Sequence, residues 1–280
     1  MRIGIYGGAF NPVHKGHVKL AEEIKEKAHL DKIIIMPSGL SPHKSSGQLI
    51  DSEHRLEMCR IAFDKEYFEV SDLEIRREGK SYTVDTVTEL KSVYPNDELY
   101  LVMGSDMLLS FHKWYRYEDI LSAVTICTTT RQGDISTAEL RRYSENVLKK
   151  EAIIIDFEPF ECSSTQVRNA LLEGADASSL VGERVMAYIS EKALYRDKYT
   201  DIRKLLRSKL DDYRYVHSLG VADSARQLAG IYGADEEKAY FAGLLHDVMK
   251  NASRDEQLDI IEKGGITLTT AEKNNPKLWH

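Results

Sequence analysis

Short apolar runs rich in β-branched residues recur along the first two thirds of the chain: Ile3 to Tyr6, Ile33 to Met36, Phe68 to Ile75, Leu99 to Met103, Val124 to Thr128 and Ile153 to Phe157. Amphipathic stretches of helical period separate them, and strand alternating with helix predicts right-handed βαβ units and a parallel sheet. Ligands of such sheets bind beyond the carboxyl ends of the strands. Val185 to Leu194 reads as a closing helix and Arg196-Asp197-Lys198 as a junction. Beyond it the strand pattern stops. Helical patterns follow at 200–211, 217–232, 235–249 and 254–263, so the sequence predicts an α/β domain over 1–196 and an all-α part over 197–280.

Composition narrows the class of partner. The net charge of −7 argues against non-specific binding of nucleic acid, so an anionic substrate must be met by a local basic site. No apolar run approaches the roughly 18 residues of a membrane span, and Met1-Arg2-Ile3-Gly4 leads into a strand pattern rather than a signal segment; a cytoplasmic protein without a membrane partner is expected. A homo-oligomer stays open. Cys59, Cys127 and Cys162 lack C-x-x-C spacing and read as buried reduced thiols.

Candidate chemistry begins directly after the first strand, at Gly7-Gly8-Ala9-Phe10-Asn11-Pro12-Val13-His14-Lys15-Gly16-His17. Gly7 and Gly8 let the backbone approach a polyanion, while His14 and His17 fall on neighbouring positions of one helical turn at an amide-rich helix start. Neither the dinucleotide fingerprint G-x-G-x-x-G nor the P-loop G-x-x-x-x-G-K-[ST] fits. A second helix start, Cys162-Ser163-Ser164-Thr165-Gln166-Val167-Arg168, offers hydroxyls, free amides and an arginine suited to the outer phosphates of a nucleotide; Ser163 or Ser164 alone also reads as an ordinary N-cap. Three further segments lie near the same sheet edge: Met36 to Lys44, Ser81 to Thr86, and Gly104-Ser105-Asp106-Met107 followed by Trp114-Tyr115. Asp85 reads as a helix-start carboxylate and Arg55 as a surface partner of Glu53 or Glu57.

The first loop resembles the H-x-G-H signature of the nucleotidylyltransferase superfamily, and Ser163 to Arg168 resembles its partner motif. From Ile3 to Tyr195 the sequence is similar to bacterial nicotinate-nucleotide adenylyltransferases. The resemblance implies a Rossmann-like fold and transfer of the adenylyl group of ATP to nicotinate mononucleotide, in NAD biosynthesis, with pyrophosphate released and Mg²⁺ accompanying the ATP. It implies an ATP site of Gly7, Gly8, Phe10, His14, His17, Asp106, Ser163, Ser164, Thr165 and Arg168, with His14, His17 and Arg168 catalytic. Thr83, Trp114 and Tyr115 would surround the nicotinate ring and Lys44 would approach nucleotide phosphate. Cys162 stands where the family more often has an aliphatic residue, and Gln132 where it often has proline. Nicotinamide mononucleotide and phosphopantetheine are the rival acceptors.

In the helical part, His217 precedes Gly243-Leu244-Leu245-His246-Asp247 and Lys250. Two imidazoles and a carboxylate suit a transition metal. The context resembles the HD metallohydrolase superfamily, closest to the symmetrical diadenosine tetraphosphate hydrolases with their two-iron centre, and this implies His217, His246, Asp247 and His280 as ligands of iron or another transition metal. The match stops at His280, so a partial HD-type domain with weak or absent hydrolase activity is expected. Dinucleoside polyphosphate hydrolysis, or a non-catalytic nucleotide sensor, are the alternative functions for this part.

Overall fold

The computed structural model describes residues 1–39, 49–130, 135–158, 160–275 and 279. Lys44, Gln132 and His280 lie outside them. Two compact units emerge: Met1–Arg168 with Ala177–Tyr195, and Asn169–Asp176 with Arg196–His280.

The first unit runs β1 (Arg2–Gly8), α1 (Lys15–Lys27), β2 (Lys32–Pro37), α2 (Ser52–Ala62), β3 (Phe68–Val70), α3 (Leu73–Arg76), α4 (Thr83–Val93), β4 (Glu98–Gly104), α5 (Ser105–Ser110), α6 (Tyr117–Ala123), β5 (Val124–Thr130), α7 (Thr137–Tyr143) and β6 (Ile153–Asp156), followed by the start of α8 (Ser164–Leu172), whose residues from Asn169 on belong to the second unit, and by α9 (Ser178–Val181) and α10 (Glu183–Glu191). All strand pairs are parallel, in the order β3-β2-β1-β4-β5-β6. Strand order therefore reverses between β1 and β4, and that switch point opens a crevice at their carboxyl ends. Gly8 closes β1 opposite Pro37, and Gly104 closes β4 opposite Thr129, so the loops after these strands share one edge. The sheet is covered by apolar residues such as Ile3, Ile5, Ile34, Leu101, Phe111 and Ile120, all 4% exposed or less.

One strand is shorter than its sequence suggests. Of the apolar run Phe68 to Ile75 only Phe68–Val70 pairs; Asp72 then precedes α3, and its carboxylate ties Arg76 at 2.8 Å. Asp72 makes no side-chain cap bond, and the i,i+4 pair it forms with Arg76 is the contact that favours the helical turn over the strand. Cys59 and Cys127 are buried, and Cys162 is half-buried rather than buried, because it sits on the loop before α8.

The second unit contains α11 (Thr200–Lys209), α12 (Asp212–Tyr232), α13 (Glu236–Leu245), α14 (Arg254–Lys263) and α15 (Thr270–Asn274), with no strand among its described residues. α12 starts five residues earlier than its apolar pattern suggests, because Asp211 accepts the Arg214 N–H as an N-cap. Tyr199, Leu206, Tyr215, Ala222, Tyr240 and Leu244 form its core. A Cβ at Gly243 would lie 2.5 Å from the Ala222 Cα, so only glycine lets α13 lie this close to α12.

Candidate active site

The loop from Ala9 to His14 leaves β1 and enters α1. Phe10 has φ 45°, a left-handed conformation that costs a bulky residue on the order of 1–3 kcal/mol. Its ring is 1% exposed and packs edge-on to Tyr6 (5.5 Å), His17 (5.0 Å) and Phe63 (6.1 Å), and this packing holds the turn. His14 is the N-cap of α1, with extended backbone, rather than a member of its first turn. The two imidazoles nevertheless meet. Their centroids are 3.6 Å apart at 32°, and the His14 backbone N–H donates to His17 Nδ1 at 3.1 Å. That bond places the proton of neutral His17 on Nε2, the nitrogen from which it can donate to a phosphate. Glycine at 16 makes the arrangement possible, since a Cβ there would lie 3.0 Å from His14 Nδ1 and 3.4 Å from the Phe160 carbonyl oxygen.

The second motif reaches this loop directly. Ser164 Oγ donates to the Pro12 carbonyl at 2.9 Å, and Arg168 Nη1 to the Asn11 carbonyl at 2.7 Å, although about 150 residues separate the partners. Arg168 Nη2 also donates to Thr165 Oγ1 at 3.1 Å. Ser163 serves as an N-cap: its hydroxyl accepts the Gln166 N–H at 3.2 Å while its own N–H donates to Gln166 Oε1 at 2.8 Å. Neither α1 nor α8 carries an acidic residue in its first turn, so both positive helix ends are unopposed by local carboxylates. Gly7 is exposed, and a Cβ there would touch nothing within 4 Å, which leaves its backbone open to a ligand. Two helix starts, two imidazoles and a guanidinium in one crevice can hold a polyphosphate and stabilise charge as it moves between phosphates.

On the other side of the crevice, Thr83 is the first residue of α4. The Tyr82 and Tyr115 rings meet at 4.9 Å, which joins the α4 start to the Trp114-Tyr115 pair. Trp114 is half-buried against Phe111 at 5.1 Å, while Tyr115 is 59% exposed. Asp106 is exposed in the first turn of α5, just past β4, and Asp85 is exposed in the first turn of α4.

Arg55 is not a surface residue. It is 2% exposed, and it donates to three backbone carbonyls: Ala9 at 2.7 Å, Ser38 at 2.7 Å and Ile50 at 3.3 Å. Burial lowers its pKa from the ordinary arginine value, and the backbone oxygens take the place of water. Asn11 and Tyr195 were equally hidden in the sequence. The Tyr195 hydroxyl donates to Asn11 Oδ1 at 3.0 Å, and the Ile50 N–H to the same oxygen at 3.4 Å.

In the second unit, His217, His246 and Asp247 bring one ligand atom each to within 4.8 Å of one another. The His217 and His246 rings are 5.2 Å apart, and His246 Nδ1 bonds the Gly243 carbonyl at 2.8 Å, which leaves Nε2 as the ligating nitrogen. Asp247 is buried and accepts from Arg214 Nη1 at 3.2 Å, with Lys250 Nζ at 3.7 Å. The donor set fits a transition metal, which would supply Lewis-acid chemistry or an activated water.

A parallel sheet whose switch-point loop joins two imidazoles to a serine- and arginine-bearing helix start defines a nucleotidyltransferase, and residues 5–170 match the cytidylyltransferase-like family. Residues 214–278 match the HD domain, a match that names no particular hydrolase. The chain is 39% identical over 198 residues to a probable nicotinate-nucleotide adenylyltransferase of Carboxydothermus hydrogenoformans, spanning 70% of this chain and 98% of that protein. It is 35% identical to the nicotinate-nucleotide adenylyltransferase of Bacillus subtilis, over 69% of this chain and 98% of the relative. A Plasmodium falciparum nicotinic acid mononucleotide adenylyltransferase, solved in complex with NaAD, shares the fold with a TM-score of 0.59 at 21% identity, over 69% of this chain and 97% of that one. The chain belongs to the nicotinate-nucleotide adenylyltransferase family, with an HD domain following the nucleotidyltransferase domain. Among the described residues no helix is long and apolar enough to cross a membrane.

Proposed function

We propose that the chain transfers the adenylyl group of ATP to nicotinate mononucleotide, forming nicotinate adenine dinucleotide and pyrophosphate. The observation that carries this reading is the direct bonding of the Ser164 and Arg168 helix start to the Asn11-Pro12 backbone, beside the stacked His14 and His17. A triphosphate lying across both helix ends would meet Gly7 and Gly8 through their backbone, His17 through Nε2–H, and Ser164, Thr165 and Arg168 through hydroxyls and guanidinium. The acceptor's phosphate oxygen attacks the α-phosphorus, the bond from that phosphorus to the bridging oxygen breaks, and pyrophosphate leaves with the electron pair. The site's part is positioning and charge stabilisation, with His14, His17 and Arg168 meeting the charge that develops on the departing group. Divalent metals are typical of both families represented in the chain. Mg²⁺ bound chiefly by the phosphates would add charge neutralisation here.

For the acceptor, the amides and hydroxyl at the Thr83 end of α4 offer donors to a carboxylate, and Trp114 with Tyr115 offers an aromatic shelf. Asp106 is assigned to ribose hydroxyls and Phe10 to the wall behind the phosphate loop. In the second unit, His217, His246 and Asp247 are assigned as ligands of iron or another transition metal. A coupled pyrophosphate assay with ATP, Mg²⁺ and either nicotinate or nicotinamide mononucleotide tests the main reading. Strong preference for the nicotinate form is expected; equal rates would overturn the acceptor assignment, and no pyrophosphate with either would overturn the reaction.

A further inference from the structure

The phosphate loop is held by bonds from Arg55 and Tyr195. Asn11 is its hub. It is 4% exposed, its side-chain oxygen receives the Tyr195 hydroxyl at 3.0 Å and the Ile50 N–H at 3.4 Å, and its carbonyl receives Arg168 at 2.7 Å. Arg55 fastens the carbonyl two residues earlier, Ala9, at 2.7 Å and the exit of β2, at Ser38, also at 2.7 Å. Tyr195 sits at φ 57°, a left-handed conformation that directs the end of the unit back toward the loop. Burial pushes its phenol above the ordinary range, and the nearby Arg168 and Arg55 charges offset this only in part, so the hydroxyl stays a neutral donor. The Asn11 carbonyl that Arg168 uses belongs to the residue whose side chain Tyr195 and the Ile50 N–H restrain. Orientation of the phosphate-binding guanidinium thus depends on bonds made on the far side of Asn11.

We infer that Tyr195 and Arg55 are positioning residues for the nucleotide triphosphate, acting through Asn11 and Arg168 without touching the substrate. This rests on the adenylyl-transfer reading. Without the Tyr195 hydroxyl, Asn11 loses one of the bonds that hold its side chain, and the carbonyl that aims Arg168 is held less firmly. Misplacement by about 1 Å at such a site is enough to lose as much as 100-fold in rate. The acceptor side, at Tyr82, Thr83, Trp114 and Tyr115, shares none of these bonds.

The full chain and its Tyr195→Phe and Arg55→Lys variants test the inference by isothermal titration with Mg²⁺ and α,β-methylene ATP, and separately with nicotinate mononucleotide. Each variant is expected to bind the ATP analogue about 10-fold more weakly, the upper range for one lost hydrogen bond, while acceptor affinity stays within about twofold. In an Asn11→Ala background, Tyr195→Phe should add less than about twofold, since both changes remove one bond. Unchanged analogue binding in Tyr195→Phe would overturn the inference. Equal weakening for analogue and acceptor would also overturn it, by showing a general loss of structure. Should Tyr195→Phe melt below the assay temperature, Arg55→Lys decides by the same two criteria. Pyrophosphate production by the unaltered chain is scored separately, so failure of the adenylyl-transfer reading is distinguishable from failure of the brace.

Discussion

At the phosphate loop, side chains from residues 55, 164, 168 and 195 converge on the segment Ala9 to Pro12. Around Asp247 the partners described include Lys250 of its own turn, with the His246 ring at 3.7 Å, and Arg214 of one neighbouring helix. The first centre therefore exists only when β1, α2, α8 and the end of the unit are all in place. The second needs one helix pair, seated by Gly243 against Ala222. Geometry assembled from distant segments is demanding to build and rigid once built, which suits a reaction that works by positioning. Geometry from one helix pair is less constrained, and the helices that carry it expose Tyr213 (80%), Val216 (65%), Ile231 (73%) and Tyr232 (80%).

The contrast is breakable by experiment. The largest expected effect is on turnover. His17→Ala removes the imidazole whose Nε2–H is aimed by the His14 backbone bond, and kcat should fall about 10²–10³-fold in the pyrophosphate assay, by analogy with other preorganised charge-stabilising donors. Retained turnover would mean that the imidazole pair is only structural.

Next comes stability. Arg55→Met strands three backbone carbonyls in a buried site, and urea unfolding of the first unit should show a loss of roughly 2–4 kcal/mol. No loss would show that the loop holds itself. Smaller again is the acceptor shelf. Trp114→Ala should raise the KM for nicotinate mononucleotide about tenfold, the equivalent of the roughly 1.5 kcal/mol of one good aromatic contact, with the KM for ATP little changed. A rise in the ATP value instead would place the indole on the wrong side of the crevice.

The smallest effect separates the units by pH. Helices of the second unit are capped by carboxylates: the Arg214 N–H holds Asp211 below the usual aspartate range, the Lys238 N–H does so for Asp235, the Ser253 N–H for Glu256, and the Thr269 hydroxyl for Glu272. Groups with depressed folded values stabilise fully above the ordinary Asp and Glu range and lose that contribution as pH falls through the folded values. Among the described residues the first unit has fewer such carboxylates, Glu139 held low by Ser136 and Glu191 by Lys192, and its phosphate-loop braces are guanidinium, hydroxyl and amide bonds rather than carboxylates. Circular dichroism melts between pH 7 and pH 3 should therefore show the second unit weakening first, and Asp211→Asn should blunt that loss. Parallel weakening of both units would remove the distinction.

Much of this was legible in the residues. The alternation of apolar runs predicts the six parallel strands, and the spacing of His14 and His17 predicts that their rings meet. Strand order is not written in the runs, so the convergence of Gly7 to His17 with Ser163 to Arg168 rests on topology that only the fold shows. Arg55 illustrates the limit: within Ser52-Glu53-His54-Arg55-Leu56-Glu57 it looks like one more charge on a solvated helix, because periodicity does not reveal that its face points toward three carbonyls. Tyr195 carries no local signal either, since its partner lies 184 residues away. Phe68 to Ile75 misled in the other direction, where local β propensity gave way to a helical turn with Asp72 and Arg76 paired across it. Local periodicity thus reads elements and pairs on one turn, while bonds between distant backbone carbonyls stay invisible until the chain is folded.

Phosphorus NMR of the full chain incubated with ATP, Mg²⁺ and nicotinate mononucleotide tests the central claim most directly, because it identifies every phosphorus-containing product at once. Equal amounts of pyrophosphate and a dinucleotide should appear, and in His17→Ala both should form together at a rate about 10²–10³-fold lower. Orthophosphate with ADP in their place, or product formation at an undiminished rate in His17→Ala, would contradict the assignment of adenylyl transfer to the braced loop.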